Sequence, residues 1–180
     1  MGQPPERLHR TARANPRIAG RPRTASRLAA VQALFQGEQA EESLEAVIDQ
    51  FVRHRLGNLP NAGGYEEGCV PDAEAPLFAS IVRAATAQQD TLDRMIAETL
   101  PPDWPLARLD PVLRALLRAA VAELWMRDGP PPRVVINEYL DVAHGFFDGE
   151  EPRMANGVLN RIARLLRAEE FAPEAPPGAP

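Results

Sequence analysis

"LDPVLRALLRAAVAELWMRDG", residues 109–129, reads as a long apolar helix. Asp110 is a residue type that caps a helix, and Pro111 suits the first helical position. Val112, Leu113, Leu116, Leu117, Ala120 and Leu124 then recur at helical period, which predicts an amphipathic helix. The segments on either side repeat that period. "TASRLAAVQALFQGEQ" places Leu28, Val31, Leu34 and Phe35 on one face, with Thr24 or Ser26 as the expected cap. "ESLEAVIDQFVRHRLG" carries Leu44, Val47, Ile48, Phe51 and Leu56 and stops at Gly57. A third helix is expected from Pro76 through Phe78, Ile81, Val82, Ala85, Leu92 and Ile96. "PPDWPLAR" has room only for a turn or a very short helix. "PRVVINEYLDVAHGFF" and "PRMANGVLNRIARLLRAEE" supply the last two helices, the β-branched Val134–Ile136 entering a helical pattern through Tyr139, Leu140 and Ala143. No stretch alternates at period two for long enough to predict a strand. The expectation is an all-α bundle of about seven helices, six substantial and one short.

Punctuation sets the boundaries. Of 19 prolines, eight lie near the two ends and the rest fall between or at the starts of helical segments. Residues 1–22 read as a disordered arginine-rich arm, 23–170 as one folded domain, and 171–180 as a disordered tail. The stretch 57–76 reads as a long flexible loop between two helical halves. Neither half alone has enough partners for its apolar faces.

Charge is distributed unevenly. Lysine is absent and all 20 basic residues are arginine. Residues 1–27 hold seven arginines against one acid, Glu6, in a chain of net charge -5, which leaves -11 on the remainder. A basic arm on an acidic body points to a polyanionic partner for the arm. Guanidinium groups suit that task, because their planar fork of donors matches phosphate.

Catalytic patterns are missing from the chain. His9, His54 and His144 have no ligand spacing around them. Gly63 and Gly64 follow no strand and precede no lysine, so they form no phosphate loop. Glu98, Asp103 and Glu123 read as surface groups or caps. A single cysteine, Cys69, excludes an internal disulfide and reads as an incidental loop thiol. No export signal or membrane-spanning run is evident, so a cytoplasmic protein without catalytic activity or cofactor is expected. Asn137 and Glu138, then Asn156 and Gly157, interrupt otherwise apolar helical stripes. Each asparagine is expected to bond between helices, with Gly157 giving room for close approach; direct ligand contact is the alternative.

The segments "RLAAVQALFQ" (27–36), "RLDPVLRALLRAAVAEL" (108–124), "VVINEYLDVAHGF" (134–146) and "NGVLNRI" (156–162) resemble the NusB family of transcription antitermination factors, over roughly residues 21–168. That resemblance implies an all-helical fold of two packed subdomains. It implies binding to boxA, a single-stranded RNA element in ribosomal RNA operon leaders, beside the ribosomal protein NusE. NusA, NusG and RNA polymerase complete the implied assembly, which uses no cofactor. A homodimer is left open, since some relatives are monomers and others dimers.

By the same resemblance the RNA-contacting set is Arg21, Arg23, Arg27, Phe35, Glu150, Arg153, Met154 and Asn156. Arg27, just before the "AVQAL" helix, is the expected phosphate clamp. Arg7, Arg10, Arg13 and Arg17 are expected to compensate, through a mobile arm, for the basic residues missing at Thr24 and Ala25. Phe35 stands at a position usually tyrosine, with core packing as the equal alternative. The chain departs from the family at Thr24 and Ala25, where basic residues are common, at Met154, usually phenylalanine, and at Asn160, usually aspartate. NusE is expected on acidic surface of the third helix and of the helix starting near Asp110. Two rivals remain at this level. One is the related domain that heads certain ribosomal RNA methyltransferases, which a chain ending at Pro180 is expected to exclude. The other is a helical protein–protein interaction module without an RNA role.

Overall fold

In a computed structural model the described residues are 16–40, 42–57, 64–65 and 68–171. Arg7, Arg10, Arg13, His9, Gly63 and the expected disorder of 1–15 and 172–180 lie outside them. Seven α-helices follow in order: α1 Pro22–Ala40, α2 Leu44–His54, α3 Ala75–Ala87, α4 Gln89–Thr99, α5 Pro111–Trp125, α6 Pro132–Phe146 and α7 Glu151–Leu166. Short 3₁₀ turns occupy Leu106–Arg108 and Ala168–Phe171. Among the described residues there is no strand, only an isolated bridge between Leu56 and Val70. None of the described helices is long and apolar enough to cross a membrane.

Helix α5 is the axle. It starts as its sequence predicts, with the Asp110 side chain accepting from the Val112 amide at 2.9 Å and Pro111 in the first turn. Its burial is wider than a stripe, however. Every residue from Ala115 to Leu124 is buried. The helix packs against α1, α3, α4, α6 and α7, and the alanines on its nominally polar side let those neighbours come close. One continuous cluster of buried side chains runs from Ile18 to Ala163, through both halves of the chain.

Three expectations need correction. The third helix is two helices. Gln88, at φ -113° and ψ 15°, ends α3 and caps α4. The Thr86 hydroxyl donates to the Val82 carbonyl at 3.0 Å, a back-bond that bends helices. The short helix expected in "PPDWPLAR" is the 3₁₀ turn Leu106–Arg108.

The second correction concerns the arm. Its last part, residues 16–22, is built into the fold: Ile18 is fully buried, and Gly20 turns the chain into α1 at φ +74°, a conformation that favours glycine. Helix α1 therefore starts at Pro22. Thr24 and Ser26 are buried inside it rather than capping it.

The third concerns the loop, whose described part is tied down. Asp72 accepts from the Gly20 amide at 3.0 Å and from the Tyr65 hydroxyl at 2.8 Å. The Ser26 hydroxyl accepts from the Glu74 amide at 2.7 Å, and Val70 is fully buried. Cys69 is buried too, its Sγ 3.8 Å from the His54 carbonyl oxygen.

At the far end of α1, Glu38 joins Arg114 and Arg118, and Arg118 forks onto Asp93 of α4 at 2.7 and 2.8 Å. Burial works against the charge of Glu38. The hydrogen bond and charge of Arg114, with the charge of Arg118, outweigh it and hold the carboxyl below its ordinary value of 4.5. A carboxylate lowered on folding adds stability above its unfolded value and loses it as pH falls through the folded one. Denaturation of a Glu38→Gln variant should therefore show a flatter loss of stability on acidification below about pH 5; an unchanged slope would contradict the network. Ile18→Ala should cost about 2–4 kcal/mol in urea unfolding if residues 16–20 are core, and a cost near zero would mean they are not.

Candidate nucleic-acid interface

The start of α1 is an ionic cluster rather than a free row of cations. Arg27, the expected phosphate clamp, is buried with its side chain 2% exposed. Its Nε donates to Glu123 Oε2 at 2.9 Å and its Nη2 to Glu123 Oε1 at 2.5 Å. A third bond reaches Glu138 Oε2 at 3.1 Å. A guanidinium enclosed this way cannot meet a phosphate without leaving the core, so Arg27 is corrected to a structural residue. Burial alone would weaken its charge, and Glu123 more than offsets that, raising its basicity further. The adjacent Tyr139 hydroxyl is fully buried. Burial first, then the charge of Glu123, hold its ionisation well above the ordinary phenol value.

From Glu138 the cluster steps outward. Thr24 donates to Glu138. Arg21 bonds Glu138 at 2.5 Å and Asp141 at 2.7 Å, the Asp141 bond being the main reason its basicity is raised. Arg17 reaches Asp141 at 3.2 Å. Thr24 and Ala25, where the family often has basic residues, point inward and are buried. Arg21 keeps 40% of its side chain exposed. Arg23 is exposed and has no ion pair among the described residues, which makes it the freest cation of the three predicted at this end.

Other predicted residues separate into a groove and its surroundings. Glu150, Arg153 and Met154 line an open groove of about 480 Å³ between α7 and the turn after α4. Residues that were not predicted complete it: Thr99, Pro101, Trp104, Gly157, Val158 and Arg161. Helical spacing puts Met154, Gly157, Val158 and Arg161 on one face of α7. Asn156 is exposed next to the groove, its side-chain oxygen and its carbonyl both accepting from Asn160 Nδ2 at 2.8 and 2.9 Å. Asn137 is exposed as well. The expected interhelical bonds of the two asparagines are therefore replaced by surface positions. Gly157 does not serve close packing either, since a Cβ there would meet nothing within 4 Å. Phe35 sits half-buried against the core from α1, outside the groove lining, which fits its packing alternative.

The expected acidic docking surface for a partner is corrected in part. Helix α3 has no acid, and the only acid within α5 is the buried Glu123. On α4, Asp90 and Glu98 are exposed. Among the described residues no cluster of His, Cys, Asp or Glu could hold a metal.

The fold is an all-helical bundle in which Arg23 is exposed at the α1 entry and Arg153, Arg161 and Arg164 are exposed along α7. Comparison with known proteins makes the assignment specific. Residues 24–164 match the model of the NusB family, and the chain belongs to that family. A protein of Granulibacter bethesdensis named transcription antitermination protein NusB is 73% identical over 154 residues, spanning 86% of this chain and 94% of the relative. Its namesake from Gluconobacter oxydans is 53% identical over 80% and 88% of the two chains. The solved structure of T. maritima NusB overlays with a TM-score of 0.64 at 27% identity, covering 83% of this chain and 96% of that one. A structure described as antitermination factors NusB and NusE in complex with dsRNA shares the fold at a TM-score of 0.57 and 24% identity, over 79% and 96% of the chains. The protein is thus a transcription antitermination factor of the NusB type.

Arg27→Ala should destabilise the fold by about 3–5 kcal/mol in chemical denaturation, because it strands the buried Glu123 without a counter-charge. A cost under about 1 kcal/mol, the scale of an exposed ion pair, would mean that the pair is open to water.

Proposed function

We propose that this chain binds a boxA-type single-stranded RNA element of ribosomal RNA operon leaders together with NusE. The pair then joins NusA, NusG and RNA polymerase to carry transcription past premature termination. The observation that supports this reading best is the groove. Three residues that the family resemblance assigns to RNA, Glu150, Arg153 and Met154, converge there beside Gly157 of the "NGVL" motif. Support also comes from the fold shared with the NusB–NusE–dsRNA complex, and from relatives named for antitermination.

The work is binding, carried out in the cytoplasm without a cofactor or a chemical step. Arginines at the α1 entry and along α7 neutralise phosphates and release counterions, and selectivity comes from unstacked bases held on apolar, aromatic and amide groups. The acidic body, with a net -11 beyond residue 27, disfavours indiscriminate RNA binding and attracts a basic ribosomal protein. Asp90 and Glu98 of α4 are the proposed acidic contacts for NusE.

Titration of a labelled boxA-like oligonucleotide against a scrambled one, at two salt concentrations and with or without NusE, tests the proposal. Binding should favour boxA, strengthen with NusE, and weaken with salt at a log–log slope of about -0.7 per phosphate contacted. Arg23→Glu should weaken it by about tenfold and flatten the slope by about one contact or more. Binding that ignores sequence and salt, or none at all, would contradict the proposal and favour a protein-only interaction module.

A further inference from the structure

Gly157 stands in the interior of α7, where glycine is a poor helix former relative to alanine. Its backbone conformation is ordinary for a helix, and a Cβ would enter open space. Nothing inside the chain therefore requires the missing side chain, and the clearance faces the groove. One apolar flank there is Met154 and Val158, one turn apart on α7. Trp104 forms the opposite wall. It is half-buried, packed on the core, and held in its turn by a bond from its own amide to the Pro101 carbonyl at 2.9 Å. Met154 has no ring, and among the described residues Trp104 is the one aromatic side chain in the lining. Arg153 and Arg161 stand about 12 Å apart along the helix, Arg161 steadied on the Thr99 carbonyl at 3.4 Å. One carboxylate, Glu150, lies at the same groove.

We propose that Trp104 is a base-stacking residue of this protein: one unpaired RNA base lies on its indole face in the clearance left by Gly157, with Arg153 and Arg161 on the flanking phosphates. The inference rests on the RNA-binding reading above. An open groove lined by one aromatic side chain and two cations suits a nucleotide, because stacking needs only a π-face and the phosphates need only charge. An acidic peptide would use the cations but not the aromatic face.

The chain has two tryptophans. The second, Trp125, ends α5 and is not part of the groove, so Trp125→Phe isolates the emission of Trp104. In this full-length variant, titration with boxA-like RNA should quench Trp104 by at least half, saturating with the anisotropy of a labelled RNA. Gly157→Ala should raise the melting temperature yet weaken RNA binding at least tenfold, a pairing that general loss of structure cannot produce. Trp104→Leu should weaken binding similarly with helical circular dichroism retained. RNA binding that leaves Trp104 emission unchanged, with Gly157→Ala within twofold of the parent, overturns the stacking proposal while the RNA-binding reading stands. Loss of NusE capture alone in Gly157→Ala assigns the groove to protein and also overturns it. Absence of RNA binding by the parent chain removes both readings.

Discussion

A charge carried into the core must meet its opposite, and Arg27 and Glu123 meet that requirement at the centre of the bundle. Both side chains are almost wholly removed from water. Neither charge could be buried alone, because an isolated ion in the interior is strongly disfavoured. Paired and forked, they lock α1 against α5, and the third Arg27 bond brings in α6 through Glu138. Glu138 then holds Thr24 and Arg21, and Asp141 holds Arg21 and Arg17. A chain of charge thus runs from the dry centre of the bundle to its surface and fixes where the amino-terminal segment emerges. Two more arginines serve the interior. Arg118 joins α5 to α1 and α4. Arg167 is buried over the end of α5, donating to the Leu124 carbonyl at 2.9 Å and to that of Pro130 at 2.8 Å. Arginine suits this use because its five donors can satisfy several acceptors at once.

Sequence made the helices visible and hid their joints. Asp110 and Pro111 marked the start of α5, and the Leu113–Leu116–Leu117–Leu124 spacing marked its face. The extra burial of Ala115, Ala119 and Ala122 was hidden because alanine is neutral to the pattern while permitting close approach. The break at Gln88 was invisible for a different reason. The apolar phase from Ala85 to Leu92 and Ile96 continues across it, so periodicity cannot register a change in backbone direction. Ile18, alone among arginines, prolines and polar residues, gave no periodic signal, although its burial extends the fold ahead of α1.

The candidate site was legible in its motifs and misread in its depth. Charge counting treated every arginine near the amino terminus as available to a polyanion. It could not tell Arg27, which meets two carboxylates more than 95 residues away in sequence, from the exposed Arg23. Conversely, Asn156 and Gly157 looked buried because they interrupt an apolar stripe, yet they sit on the solvent side of α7. Trp104 went unrecognised because its Pro-rich turn carries no helical pattern. Its significance arises only when folding sets it opposite residues fifty positions later. The helical frame sets Gly157 and Val158 of the "NGVL" motif at the groove, and the ionic cluster helps to hold that frame together.

The burial of Arg27 and Glu123 assigns the pair to the fold and not to the RNA. A paired replacement, Arg27→Met with Glu123→Leu, fills the same volume without charge, and its RNA affinity tests that assignment. Such swaps of buried ion pairs are often neutral or stabilising. The double variant should fold and keep boxA-like RNA affinity within about threefold of the parent, under 1 kcal/mol at RT ≈ 0.6 kcal/mol. A folded double variant whose RNA affinity falls by tenfold or more would contradict it and return Arg27 to the RNA interface.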